Sequence, residues 1–411
     1  HMHFENGMEI FNYLFSFYGQ FPGYFPSIPE EEYILFKGVD RAGRVFIHKK
    51  SGKVFRGIFK DFVEAYLRIF QKSNDIGFFR DFGVPTSISR ETFPPFPLVF
   101  EHQRIPYILD PIEFSPAMFK DGAIFVIDLM IMLERNGMGL KDGHPYNLTY
   151  WENRFYWVDF TSLIEARTPY PAIDEFIRFF VNYLIVMSKE RVKRAYSLLK
   201  SRISLTAQDV ASYLTSDEKI YYDQQVQKIQ DLISSGHMID GLEMIKEWIN
   251  IYPIEYEASV WSNYHDERIQ SIHDETLWTE KEKIVTGMIA KLQPESILDI
   301  GGNQGWYCWF ANSKGISSIL TDYDYGAIDK AYLRIKQSRN VRITPVLKNF
   351  FDDFSYQRIK KKSLKADLVL CLALVHHLVF DQQRSFFEIA DKLQECTQKY
   401  LIVEFINPSD Q

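Results

Sequence analysis

The sequence has few cysteines, no strongly basic stretch of domain size and no apolar run long enough to cross a membrane. Its three cysteines, Cys308, Cys371 and Cys396, are odd in number and lack CxxC spacing, so they suggest neither a disulfide framework nor a zinc site. A net charge of −7 predicts no nucleic-acid partner, because such proteins carry a basic stripe. The most apolar stretches, residues 123–133 and 176–187, are short and interrupted by polar side chains. The N-terminal residues lack the basic region and apolar stretch of a signal peptide, so we expect a cytoplasmic protein.

What the chain does have is enough apolar material for two cores, with 411 residues and 46% hydrophobic side chains. After an aromatic arm at residues 1–30, short alternating runs around residues 33–58 predict a small antiparallel sheet. A long apolar helix is predicted over 118–136, two short strands over 150–160, and helices from 173 to 292. After Pro294 strands and helices alternate, which indicates a parallel sheet and an α/β fold.

A glycine-rich turn follows the first strand of this C-terminal segment, Ser296–Ile300. Such a turn between a strand and a helix lets a ligand approach the backbone closely. The next strand ends at Asp322, about 20 residues on, where a carboxylate can accept hydrogen bonds from both ribose hydroxyls. The predicted ligand-binding residues of the turn are Asp299, Gly301, Gly302, Asn303 and Gly305.

The turn resembles the D-x-G-x-x-x-G motif of Rossmann-like methyltransferases that use S-adenosylmethionine (SAM). The resemblance implies that Asp322 binds the ribose of SAM, and that the turn binds its methionine end. In that family an acidic residue after the third strand binds the adenine amino group. Here the third strand, Ile343–Leu347, is followed by Asn349, whose amide oxygen is also an acceptor.

Two further apolar runs complete the predicted sheet. Residues 367–378 read as a fully buried fourth strand that ends in His376 and His377, and residues 400–405 read as a fifth strand ending in Glu404. If the methyl acceptor is a hydroxyl, a base must remove its proton, and we expect His377 or His376 to do so, with Glu404 as a weaker alternative. A complete domain of this kind adds two more strands, so we expect its C-terminal strands to be missing here.

A second motif lies in the N-terminal half. Asp142 and Asn147 are five residues apart, and Asp159 follows twelve residues later. This spacing resembles the catalytic loop and metal-binding aspartate of kinases of the aminoglycoside-kinase type. The resemblance implies that Asp142 faces the acceptor and that Asn147 and Asp159 hold Mg²⁺ with ATP. No glycine-rich phosphate loop precedes it, so an active kinase, an inactive kinase-like domain and a chance match all stay open.

Over residues 50–411 the chain resembles a bacterial family that includes NoeA-type nodulation proteins and methyltransferases encoded near polysaccharide genes. The matching segments are residues 111–115, 140–147, 158–159 and 372–378, and the paired histidines are the most specific of them. The resemblance implies a kinase-like domain at 31–190, a helical linker at 191–265 and a methyltransferase domain at 266–411.

The function that this resemblance implies is O-methylation of a saccharide, glycolipid or phosphorylated saccharide. One alternative is a bifunctional kinase and methyltransferase that phosphorylates and methylates a glycan. Another is a non-catalytic scaffold that recruits a glycan-assembly partner.

Overall fold

The computed structural model describes residues 31–36, 40–93, 96–189, 191–254, 256, 259–262, 268–352 and 364–406. The predicted arm at residues 1–30 lies outside them. The chain forms two compact units, of which the smaller includes residues up to Lys72 and Pro85–Arg104, and the larger includes Ser73–Val84 and Ile105–Gln411. The predicted kinase-like region therefore contributes residues to both units, and the domain boundaries derived from the sequence stay predictions.

The smaller unit is built on an antiparallel five-stranded sheet with the order β1-β2-β3-β5-β4. Its core is aromatic: Phe46, Phe55 and Phe96 are buried, and Phe46 stacks against Phe55. The predicted antiparallel strands are confirmed in their described parts. The elements are β1 Tyr33–Leu35, β2 Gly43–His48, β3 Val54–Ile58, α1 Val63–Asp75, β4 Thr86–Ile88 and β5 Leu98–His102.

The first part of the larger unit is mainly helical. Ser115 caps its longest helix, which contains eleven buried residues, and a capping box at Thr215 and Glu218 starts another helix. The elements are α2 Phe78–Asp81, α3 Pro116–Arg135, β6 Gly139–Leu140, β7 Leu148–Trp151, β8 Arg154–Trp157, β9 Leu163–Ile164, α4 Tyr170–Phe176, a π-helical turn Ile177–Val181, α5 Asn182–Met187, α6 Val192–Lys200, α7 Ala207–Ala211, α8 Ser216–Ser234 and α9 Met238–Asn250.

The second part of the larger unit is a parallel five-stranded sheet with the order β12-β11-β10-β13-β14. This is the mixed α/β, Rossmann-like arrangement that the alternating pattern predicts, and its first four strands are largely buried. The elements are α10 Glu280–Leu292, β10 Ser296–Ile300, α11 Trp306–Ser313, β11 Ser317–Asp322, α12 Tyr325–Gln337, β12 Ile343–Leu347, β13 Ala366–Cys371, α13 Val375–Phe380, α14 Phe386–Cys396 and β14 Thr397–Val403.

The predicted fourth strand is wrong in its second half. β13 ends at Cys371, and helix α13 begins at Val375, so His376 and His377 lie on a helix. The chain turns between them at Ala373, which has a positive φ of 48°. The sequence does not mark this turn, because residues 368–375 form a continuous apolar run that suits a buried strand and a buried helix equally.

The sequence predicts no membrane-spanning segment. Within the described ranges, no helix combines the length and the apolar composition that crossing a bilayer requires.

The three cysteines are all buried, and no disulfide bond joins any two of them.

Candidate functional site

The predicted cofactor residues converge at the carboxyl edge of the parallel sheet. Strand β10 lies between β11 and β13, so the strand order reverses there, and ligands of open α/β sheets bind outside such a switch point. The glycine-rich turn leaves β10 at this edge, Asp322 ends β11, and Asn349 follows β12. The structure therefore brings together side chains that are up to 50 residues apart in the sequence.

The glycine-rich turn is shaped by its backbone. Gly301 has a φ of 68°, in the region that favours glycine, and donates its N–H to the carbonyl of Thr321 at 2.8 Å. A Cβ at Gly302 would lie 2.5 Å from Oδ2 of Asp299 and 2.6 Å from Leu320, so a side chain is excluded there. Gly305 then caps helix α11. Gly302 is therefore required by the close packing of the turn against side chains of β10 and β11.

Asp322 is held in place by backbone donors. Its Oδ2 accepts the N–H of Asn303 at 2.9 Å, and its Oδ1 accepts the N–H of Asp324 at 2.9 Å. Burial raises the pKa of Asp322 to about 6, and these hydrogen bonds oppose that rise. A carboxylate offers about four lone-pair sites. Asp322 is therefore a fixed, ionisable acceptor at the ligand edge.

Asp299 is the second buried carboxyl group of the site. Burial raises its pKa to about 7, and the positive charge of Lys281 acts in the opposite direction. Lys281, at the start of α10, donates to Oε2 of Glu404 at 2.6 Å. Glu404 is thus charge-paired, which favours a role in positioning Lys281 over its predicted role as a base.

Asn349 lies where the sequence predicts the adenine contact. Its Oδ1 already accepts the N–H of Phe351 at 3.0 Å, and its carbonyl accepts the N–H of Asp352 at 3.0 Å. Both bonds fix the turn that follows β12. The amide oxygen retains a second lone pair and the NH₂ group its donors, so the side chain can still pair with an adenine edge.

His376 and His377 are neighbours on α13, and their ring centroids lie 4.0 Å apart. Burial and the nearby His377 lower the pKa of His376 below its usual 6.5, which favours the neutral form that a base requires. In the described part of the chain, Nδ1 of His376 is buried without a hydrogen-bond partner. The turn before them, at Ala373, is a strained backbone position of the kind that clusters at functional sites.

His377 has a carboxylate partner that the sequence analysis missed. Its Nδ1 lies 2.8 Å from Oδ2 of Asp381, one helical turn further along the chain. When Nδ1 donates its proton to Asp381, Nε2 carries the free lone pair that a general base needs. The i, i+4 spacing is visible in the sequence, but it brings side chains together on a helix and not on the strand that was predicted.

The site also includes a short segment that no motif indicated, residues 259–262. The carbonyl of Trp261 accepts Nδ2 of Asn303 at 2.7 Å, and the hydroxyl of Ser262 donates to Asp324 at 3.0 Å. The indole ring of Trp261 meets the ring of His377 edge to face, with centroids 5.4 Å apart. This segment therefore connects the cofactor turn with the candidate base.

The residues of the kinase-like motif lie elsewhere in the larger unit. Asp142, His144 and Glu175 have ligand atoms within 4.8 Å of one another, and burial followed by the charges of Asp159 and Glu175 raises the pKa of Asp142, opposed by His144. Asp159 caps a short helical turn by accepting the N–H and hydroxyl of Thr161. The predicted roles of Asn147 and Asp159 as metal ligands stay predictions.

Comparison with known proteins gives one curated relative. The nodulation protein NoeA of Rhizobium meliloti (strain 1021) is 22% identical over 345 residues, which cover 76% of this chain and 71% of NoeA. No family model matches the sequence.

Solved structures that show partial similarity include two proteins that are named as methyltransferases. The bifunctional kinase-methyltransferase WbdD aligns at 18% identity and a TM-score of 0.24, over 33% of this chain and 28% of WbdD. Magnesium protoporphyrin IX methyltransferase (ChlM) of Synechocystis PCC 6803, with bound SAM, aligns at 13% identity and a TM-score of 0.26, over 45% of this chain and 76% of ChlM. The chain thus spans less than a third of WbdD and resembles, at low identity, proteins that are named as methyltransferases.

Proposed function

We propose that this protein is a SAM-dependent methyltransferase that methylates an oxygen atom of a saccharide, glycolipid or phosphorylated saccharide. One observation carries the cofactor part of the proposal: Asp322, held by backbone N–H groups, lies beside the glycine-rich turn at the carboxyl edge of the sheet. A fixed carboxylate suits neutral ribose hydroxyls and would repel a pyrophosphate. The acceptor class rests on the resemblance to proteins encoded near polysaccharide genes.

The donor set of the site fits SAM. Asp322 would hold the ribose, Asn349 the adenine, and Asp299 with residues 301–305 the methionine end. When bound, SAM supplies a methyl group on a positively charged sulfur. The carboxyl group of Asp322 is ionised above its pKa of about 6 and gives this edge a negative charge that attracts such a cation.

The protein's own chemical task is to hold the acceptor in line and to remove its proton. His377 has the arrangement for this removal, because Asp381 at 2.8 Å orients the ring. His376 is the neighbouring alternative. Trp261 borders His377 and would limit how an acceptor approaches it.

Calorimetric titration with SAM tests the cofactor assignment. We expect the intact protein to bind SAM and Asp322→Ala to weaken binding at least about a hundredfold, since it removes a charge-assisted contact and its positioned acceptor. The matched control is Asp391→Asn, which removes an exposed carboxylate from α14 and should bind normally. Absence of binding by the intact protein, or undiminished binding by Asp322→Ala, contradicts the proposal.

A second candidate function, phosphotransfer by the kinase-like region, is favoured by the grouping of Asp142, His144 and Glu175. It predicts Mg²⁺-dependent ATP binding, measured as a rise in melting temperature, that Asp159→Ala abolishes. If ATP with Mg²⁺ leaves the melting temperature of the intact protein unchanged, this candidate is dropped and the methyltransferase proposal stands alone.

A further inference from the structure

A buried ion pair includes the residue next to Asn349, the proposed adenine contact. Nζ of Lys348 donates to Oε1 of Glu113 at 3.0 Å, and the two side chains are only 9% and 2% exposed. Lys348 follows the last residue of β12 and precedes Asn349. A charged pair removed from water is retained only when its geometry is well satisfied, so the position of Lys348 depends closely on Glu113.

Glu113 is itself immobilised from several directions. The hydroxyl of Tyr107 donates to its Oε1 at 2.5 Å, and the N–H of Asp110 donates to its Oε2 at 3.0 Å in a capping box. Both carboxylate oxygens are therefore used. A side chain with this many partners defines a fixed point for the ammonium group of Lys348.

Lys348 connects this fixed point to both nucleoside-binding residues. Its own N–H donates to the carbonyl of Asp322 at 2.7 Å, and its carbonyl carbon is bonded to Asn349. The distance between the ribose carboxylate and the adenine amide is thus set in part by where Lys348 lies.

Glu113 belongs to a segment that also anchors the kinase-like loop. Asp110, which starts the same capping box, pairs with Arg202 at 2.8 Å. The guanidinium of Arg202 lies over the ring of Tyr146 at 4.1 Å, next to Asn147. One short segment is therefore in contact with the proposed cofactor site on one side and, through Arg202, with the loop of Asp142 on the other.

We propose that Glu113 is a positioning residue of the cofactor site: through the buried Lys348 it fixes the strand end that carries Asn349 against Asp322, so SAM binding requires the segment at residues 110–115. The proposal rests on the proposed function for its ligand. It implies that the Rossmann-like part does not bind SAM at full affinity by itself.

The amino ends of the same strands supply a matched control. There Glu152 accepts the hydroxyl of Ser317 at 2.6 Å and pairs with Arg342 at 3.2 Å, again joining the helical part to β11 and β12. This contact lies at the opposite edge of the sheet from the cofactor residues. Glu152→Gln therefore weakens the same interface without touching the proposed site.

The experiment compares Glu113→Gln, Glu113→Gln with Lys348→Met, and Glu152→Gln in the full chain. We expect both variants of the buried pair to bind SAM about five- to a hundredfold more weakly, the range typical of coupling between sites, while Glu152→Gln binds normally. The double variant keeps the test valid if the single variant unfolds, because replacing both buried charges leaves neither unpaired.

Hydrogen exchange without ligand gives a second, independent readout. Amides of residues 343–352 should exchange faster in both Glu113 variants than in Glu152→Gln. Unchanged exchange together with normal SAM affinity in a folded Glu113 variant overturns the proposal. If exchange rises but even the unmodified protein binds no SAM, positioning by Glu113 stands and the proposed function fails.

Discussion

The larger unit holds two groups of acidic residues, and they differ in what surrounds the carboxylates. At the sheet edge, Asp322 is bonded by backbone N–H groups, and like charges are a minor influence on it. In the loop group, Asp142 lies against Glu175 and His144, and burial followed by the charges of Asp159 and Glu175 raises its pKa, opposed by His144. A carboxylate held by backbone N–H groups is positioned to accept a hydrogen bond from a neutral hydroxyl. Carboxylates that repel one another are stabilised when a cation binds between them or when one of them is protonated.

The largest expected effect concerns the base at the sheet edge. His377→Ala should lower kcat for methyl transfer about 100- to 10,000-fold, the usual contribution of a general base, while SAM affinity changes little. Asp381→Asn should lower kcat less, because it leaves the ring in place and removes only its partner. Single-turnover transfer from labelled SAM to a glycan fraction measures both. A normal kcat in His377→Ala would move the base to His376.

The second effect follows from the raised pKa of Asp299. The pKa of Asp299 is about 7 in the folded protein and 3.8 as the reference value. The stability that its protonated side chain contributes to the fold is therefore lost as the pH rises between those two values. Asp299→Asn should therefore gain stability relative to the unmodified protein from pH 4 to pH 7, reaching about 2–4 kcal/mol above it. Denaturant unfolding without ligand at several pH values measures the gain. A gain that does not vary with pH would contradict the assignment.

SAM affinity should itself depend on pH through Asp322. The ionised carboxylate accepts the ribose hydroxyls, and the pKa of Asp322 is raised to about 6. One pH unit below that value, binding should weaken about tenfold, since only about a tenth of the carboxyl groups remain ionised. Titrations at pH 5 and pH 7 measure this change, and Asp322→Asn should abolish the dependence.

The smallest effect is expected in the loop group. Asp142→Asn removes repulsion with Asp159 and Glu175, so it should raise the free energy of unfolding by at most about 1 kcal/mol at neutral pH. A divalent cation should raise the melting temperature of the unmodified protein more than that of the variant. Equal shifts in melting temperature would mean that Asp142 takes no part in holding the cation, which would contradict the difference between the two acidic groups.

The sequence predicted the parallel sheet well because buried parallel strands read as apolar runs between helices. It also predicted that Asp299 lies on the first strand and that Asp322 lies at the end of the second, and their roles as cofactor ligands stay predictions. The dyad of His377 and Asp381 was missed because the apolar run continues through the turn at Ala373, and a strand reading places residues four apart too far for contact. Trp261 was missed because nothing near it in sequence indicates the carbonyl contact with Asn303.

The sequence by itself determined the glycine-rich turn and the alternation of strands and helices after Pro294, because these depend on local backbone preference and on the period of apolar residues. Only the tertiary structure decided which polar groups meet. The pairs of Lys348 with Glu113 and of Lys281 with Glu404 join residues more than 100 positions apart. Such pairs form where packing brings distant segments of the chain together, and no local pattern records that.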